Sequence, residues 1–262
     1  MLRRSSYLLA PVSLLGLLAF TWPLFIPESN FFLFQGANTK WLAAAILPIA
    51  ILLFILEINY SGLDSKSVAL LGVFAALICA LRLLGAGAIG IEPIWFLLIL
   101  IGRVFGANFG FTLGVTSLFA SALITGAIGP WLAFQMLAAG WVAMFAGFIP
   151  KRINGKTEIF VISIYAIIAT QFFGILMNLQ LWPWLIGTDS QLSFVASDSV
   201  IDNLHRFAVF HLATSLSWDI PRAVFTVILI SITGKPILVA LRRAKVKLVK
   251  TTSAPGIGQR AA

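Results

Sequence analysis

Apolar residues come in long runs, at about 7–26, 41–58, 68–85, 92–106, 108–126, 130–149, 159–183 and 220–240, each closed by polar residues or by Gly and Pro. One helix needs about 20 mostly apolar residues to cross the hydrocarbon of a bilayer. The pattern therefore predicts an all-α, polytopic membrane helix bundle of about eight transmembrane helices, with its longest connection at 186–220. The first run follows Arg3 and Arg4 as a signal peptide would. Thr21, Trp22 and Pro23 at its far end are not a small-residue cleavage site, so it reads as a retained helix.

Composition narrows the class. Of 262 residues, 60% are hydrophobic and 10% charged, and the mean hydropathy is +1.01. A water-soluble globule is excluded, and eight spans leave no room for a large soluble domain. The net charge of +9 raises nucleic acid as a partner, but the placement of the charges argues against it. Lys235, Arg242, Arg243, Lys245, Lys247, Lys250 and Arg260 gather at the end of the last run, where a cytoplasmic flank carries its excess. With the amino terminus inside, the inner connections hold Arg3, Arg4, Lys66, Arg103, Lys151, Arg152, Lys156 and this cluster, against Lys40, Arg82, Arg206 and Arg222 outside. Both termini are expected in the cytoplasm, in a multi-pass plasma-membrane protein.

Little points to catalysis. Thr233, Gly234, Lys235 and Pro236 lack the upstream Gly of a phosphate-binding loop and place Pro where a magnesium-ligating hydroxyl belongs. His205 and His211 are six apart and do not share a helix face for metal ligation. No Ser sits in a nucleophile elbow, and the lone Cys79 makes no intrachain disulfide. No enzyme, metal or cofactor is expected.

Polar residues at or within the spans carry more information, because each costs free energy in hydrocarbon unless it meets a partner or a wet cavity. They are Arg82, Glu92, Gln135, Gln171, Asn178, Asp219 and Arg222. All but Gln171 fall toward outer helix ends, where they can converge on one outward-facing pocket. Each also has a structural reading: Arg82 snorkelling to headgroups, Glu92 capping a helix before Pro93, Asp219 capping the last helix ahead of Pro221. Trp95, Trp131, Trp182, Trp184 and Trp218 lie at the same level, as an aromatic belt or as apolar faces for a flat substrate. Small residues recur at Gly102, Gly106, Gly110 and Gly114, then Ala122 and Gly126, with Gly140 and Gly147 on the next run, a spacing that lets helix backbones approach. The segment from Gly106 to Gly110 needs flexible backbone for a tight inner turn.

The stretch 90–150 resembles the substrate-specific (S) components of energy-coupling factor transporters, the membrane subunits that bind vitamins. Gly106, Gly110 and Gly114, then Gly129, Pro130 and Trp131, then Phe134, Gln135 and Met136 match the family's Gly-rich helix pair, outer Gly-Pro-Trp segment and Phe-Gln-Met helix start. Ser217, Trp218, Asp219, Ile220, Pro221, Arg222 and Ala223, with the basic end at Leu241, Arg242 and Arg243, are similar to actinobacterial members. The resemblance spans about 68–245. It implies a six-helix core at 67–245, two additional helices within 1–66 and a basic cytoplasmic tail at 246–262.

The resemblance also implies a function: capture of a vitamin or related micronutrient on the outer side, then uptake driven by a transmembrane coupling subunit and two ATPase subunits. Contact with the coupling subunit falls by position on Ala69, Gly72, Ala76 and Ala80. The pocket is expected between the family-type first, second, fourth and last helices, covered by 200–218 and lined by Arg82, Glu92, Trp131, Gln135, Asn178, Trp218, Asp219 and Arg222. Arg82 and Arg222 are to meet an acidic or carbonyl group, and an amide-bearing vitamin such as a corrinoid suits the lining. The alternatives are a polytopic enzyme acting on lipid-like substrates and an ion-coupled secondary transporter, although no internal repeat or mid-depth acidic residue stands out for the latter.

Overall fold

A computed structural model describes residues 6–25, 65–85, 89–185, 192–195 and 198–252. Among them are seven α-helices: α1 Ser6–Thr21, α2 Ser65–Leu84, α3 Ile94–Phe105, α4 Ala107–Thr125, α5 Leu132–Ala146, α6 Gly155–Leu185 and α7 Val200–Thr252. A single 3-10 turn, Trp22–Phe25, follows α1. Four helices contain segments long and apolar enough to cross a membrane: Ser65–Leu84, Ala107–Thr125, Gly155–Pro183 and Val200–Leu248. This is the make-up of a helical membrane protein.

The expected eight spans need correcting. The run at 41–58 lies outside the described residues. Helices α3 and α5 have 12 and 15 residues, or about 18 and 22 Å at the usual rise, short of the roughly 30 Å of hydrocarbon. They need not face lipid along their length, because the other helices enclose them: residues 94–104 of α3 are all buried.

The largest departure is at the end of the chain. The segment expected as an outer connection up to residue 220 is helical from Val200, and α7 runs without a break through the last apolar run to Thr252. Its start is set by Ser199, whose hydroxyl accepts from the Asp202 backbone N–H (3.1 Å) while donating to the Asp202 carboxylate (2.6 Å), a capping arrangement. Pro221 and Pro236 lie inside the helix. Asp219 is therefore mid-helix and caps nothing. Its 53 residues make about 80 Å at 1.5 Å each, so only part of α7 can lie in hydrocarbon. The tail expected to begin at 246 is helical to Thr252, and 253–262 lie outside the described residues.

Glycines set the closeness of the inner three helices. A Cβ on Gly102 of α3 would lie 2.0 Å from the Ala143 carbonyl oxygen of α5, and one on Gly114 of α4 would lie 2.5 Å from the Ala139 carbonyl oxygen. Gly106 serves differently: it has open space but φ +101°, and it alone separates α3 from α4. The expected turn over 106–110 thus shrinks to one residue. Gly102→Ala should destabilise the protein by about 1–3 kcal/mol, since its obstacle is backbone. Gly72→Ala, with nothing within 4 Å of the new atom, should be neutral or stabilising through helix propensity. Thermal unfolding of the two variants in detergent checks the contrast.

Helix α1 docks on α5. Phe20 is fully buried and meets Phe134 edge-on at 4.9 Å between ring centroids, while Trp141 donates to the Ser13 hydroxyl at 3.0 Å.

At the basic end of the bundle, Glu158 on α6 is clamped by two arginines. Arg103 of α3 donates to it at 2.9 Å and Arg242 of α7 at 2.6 Å. Arg103 spends its remaining donors on the carbonyls of Ile149, Pro150 and Ile153 in the connection between α5 and α6. One carboxylate thus ties α3, α6 and α7 together.

Candidate functional site

Because α7 begins at Val200, residues 210, 214, 218 and 222 fall in one row at four-residue spacing, with 211, 215 and 219 in the row beside it. These rows face α6 at Gly174, Met177 and Asn178, and the two helices line an open cavity of about 430 Å³. Phe210, Met177 and Trp218 give it apolar walls; Asn178, Thr214, Ser215, Asp219 and Arg222 supply its polar groups. Gly174 is small for a reason: a Cβ there would lie 2.1 Å from Oδ2 of Asp219.

The polar wall is a connected network. Arg222 donates through Nη1 to Oδ1 of Asp219 and through Nη2 to Oε1 of Glu92 (2.9 Å), with its guanidinium 5.3 Å above the Phe173 ring. Glu92, in the connection ahead of α3, also accepts from Trp218 Nε1 (3.0 Å) and Trp95 Nε1 (2.5 Å). Gly90 brings that connection against α7: its φ is +67°, and a Cβ would meet Pro221 Cβ and the Trp218 carbonyl, each at 2.6 Å. Glu92 is thus a bridge between α3 and α7, and the cap before α3 is Pro93, without a side-chain hydrogen bond.

Deeper in the wall, Asn178 Nδ2 is 3.0 Å from Nδ1 of His211 and donates to the Ser215 hydroxyl. With Nδ1 as acceptor, the imidazole hydrogen sits on Nε2, which faces Oδ2 of Asp219 at 3.8 Å. Gln171 Nε2 donates to the Asp219 backbone carbonyl at 3.0 Å. Oδ2 of Asp219 and Nε of Arg222 are buried without a hydrogen-bond partner.

The structure brings together Glu92, Asn178, Trp218, Asp219 and Arg222 of the expected set, and Gln171 joins them. Arg82 and Gln135 pair between α2 and α5, Nη2 to Oε1 3.2 Å; Arg82 interacts with the Glu92 charge, but neither lines the cavity. Trp131 is exposed and lays its ring over Gly129. The cavity lies between the fifth family-type helix, α6, and the last, not among the four expected; Glu92, ahead of the second, reaches it only through Arg222 and Trp218, and residues of the segment 200–218 form a wall of it. Trp95 and Trp182 are buried, the latter donating to the Leu192 carbonyl at 2.7 Å, so neither sits in a lipid-facing belt. The side chain of Trp184 lies outside the described residues.

Sequence reasoning passed over His211, Thr214 and Ser215 as site residues. The signal was present as a polar stripe, Asn203, His211, Ser215, Asp219, Arg222 and Thr226, all of which are buried. On α2, Ala69, Gly72, Ala76 and Ala80 are exposed, with no packing against the described helices at Gly72.

No family model, curated protein or solved structure matches the chain.

Proposed function

We propose that this chain is the substrate-binding membrane subunit of an energy-coupling-factor importer, taking a small vitamin-like molecule at the cavity between α6 and α7. The observation that carries the reading is the cavity itself. About 430 Å³, with aromatic and apolar walls and a few converging polar groups, is the make-up of a small-molecule site.

Its position supports uptake from outside. Arg222 at the cavity and Arg242 in the basic cluster are 20 residues apart on α7, about 30 Å along a helix, so they lie near opposite bilayer faces. The basic end belongs in the cytoplasm, and on that reading the cavity is on the outer side. The exposed small-residue stripe on α2 suits close approach by a coupling subunit, and the power stroke belongs to that subunit's two ATPases.

The test combines association and uptake. Wild-type protein purified from its native host should bring down a coupling subunit with ATPases, and mass spectrometry should find a bound small molecule. Gly72→Trp should abolish uptake and association while leaving ligand affinity within about threefold, because the contact is steric and away from the cavity. Uptake by this chain alone would overturn the reading in favour of an ion-coupled transporter. Turnover of a lipid by the purified protein would mark a polytopic enzyme.

A further inference from the structure

The cavity's polar groups are unevenly committed. Both terminal nitrogens of Arg222 are engaged by carboxylates, Nη1 by Asp219 and Nη2 by Glu92, and only its buried Nε is unpaired. The expected role of Arg222, meeting an acidic or carbonyl group of the substrate, is thereby already filled from within the protein. Asp219 is 2% exposed, lines the cavity, and keeps Oδ2 without a hydrogen bond. Nε2 of His211 stands off from it at 3.8 Å. Two carboxylates therefore share one guanidinium here. Arg82, the other nearby cation, donates through Nη2 to Gln135, keeps a buried Nη1 without a hydrogen-bond partner and interacts with the Glu92 charge; like Glu92, it does not line the cavity, whose own charged groups are Asp219 and Arg222.

A wall whose one cation is doubly engaged, and whose acid keeps a bare oxygen, favours a positive charge or N–H donors in the space it encloses. The rings of Phe210 and Trp218 on the same wall add attraction of the same sign, because an aromatic face is negative. We infer that the substrate presents a cationic or N–H-rich nitrogen head on a flat apolar body, of the amidinium or aminopyrimidine type, and sets that head toward Asp219. Carboxylate-headed vitamins are disfavoured, because the one cation on the wall already faces two carboxylates. This rests on reading the cavity as the substrate site.

Three probes of one shape separate charge from fit: benzamidinium, benzamide and benzoate. They are titrated calorimetrically into the full chain in nanodiscs of zwitterionic lipid, which keeps the surface from concentrating either ion. Benzamidinium should bind at least roughly tenfold tighter than benzoate, with benzamide between them, and Asp219→Asn should shrink the gap to less than about threefold. Because the wild-type series needs no variant, a misfolded Asp219→Asn leaves it decisive. Equal affinities, a preference for benzoate, no binding of benzamidinium, or a folded Asp219→Asn that keeps the full preference overturns the inference. Failure to associate with a coupling module would remove the importer and leave this series untouched, so the two failures are distinguishable.

Discussion

Glu158→Gln should destabilise the protein by about 3–5 kcal/mol, the cost of leaving a buried charge without its partner. Arg103 is 3% exposed at its side chain and Glu158 2%. When the carboxylate goes, the guanidinium keeps only its bonds to the carbonyls of Ile149, Pro150 and Ile153. Arg242, by contrast, is 46% exposed at its side chain. Arg242→Ala should cost no more than about 1 kcal/mol, as an exposed ion pair does. Thermal unfolding in a neutral detergent separates the two. Equal effects would mean that Arg242 holds the carboxylate and that Arg103 is satisfied by carbonyls alone.

The outline of the fold was readable because hydropathy reports burial in either lipid or protein. Runs at 68–85, 108–126 and 159–183 became α2, α4 and α6 with small shifts at their ends. The same insensitivity misled at 92–106 and 130–149, where all the apolar residues of α3 and α5 but Phe105 and Phe145 are buried in the bundle by their neighbours.

The start of α7 was obscured for the opposite reason. Residues 200–219 carry Asp202, Asn203, His205, Arg206, His211 and Asp219, and read as a watery connection. Yet Asn203, His211, Ser215 and Asp219 are buried: Asn203 bonds the backbone of Val195 and Asp198, His211 and Ser215 meet Asn178 of α6, and Asp219 pairs with Arg222. Their four-residue spacing and the Ser199 to Asp202 cap were the legible signs of a helix. That error hid the cavity, because only a continuous helix lines up Phe210, Thr214, Trp218 and Arg222. Glu158 was missed because a lone acid beside Lys156 at a span's start looks like an interfacial charge, and its partners lie 55 and 84 residues away in the chain.

Arg222→Gln should cost about 3–5 kcal/mol as well, since Glu92 and Asp219 then lose their shared counter-charge. Glu92 keeps its bonds from Trp95 and Trp218, whereas Asp219 keeps only His211 at 3.8 Å, so Asp219 is the group left exposed to the loss. Adding Asp219→Asn should return part of the stability, with a coupling of about 0.5–3 kcal/mol in the double-mutant cycle. By itself, Arg222→Gln leaves the cavity wall more negative. If the wall selects a cation, folded Arg222→Gln protein, recovered at low temperature, should bind benzamidinium more tightly than wild type, although it melts earlier. Stability and affinity then move in opposite directions. A guanidinium that served packing alone would let the wall slacken and lower both, so a fall in benzamidinium affinity alongside the fall in melting temperature would count against charge selection at this site.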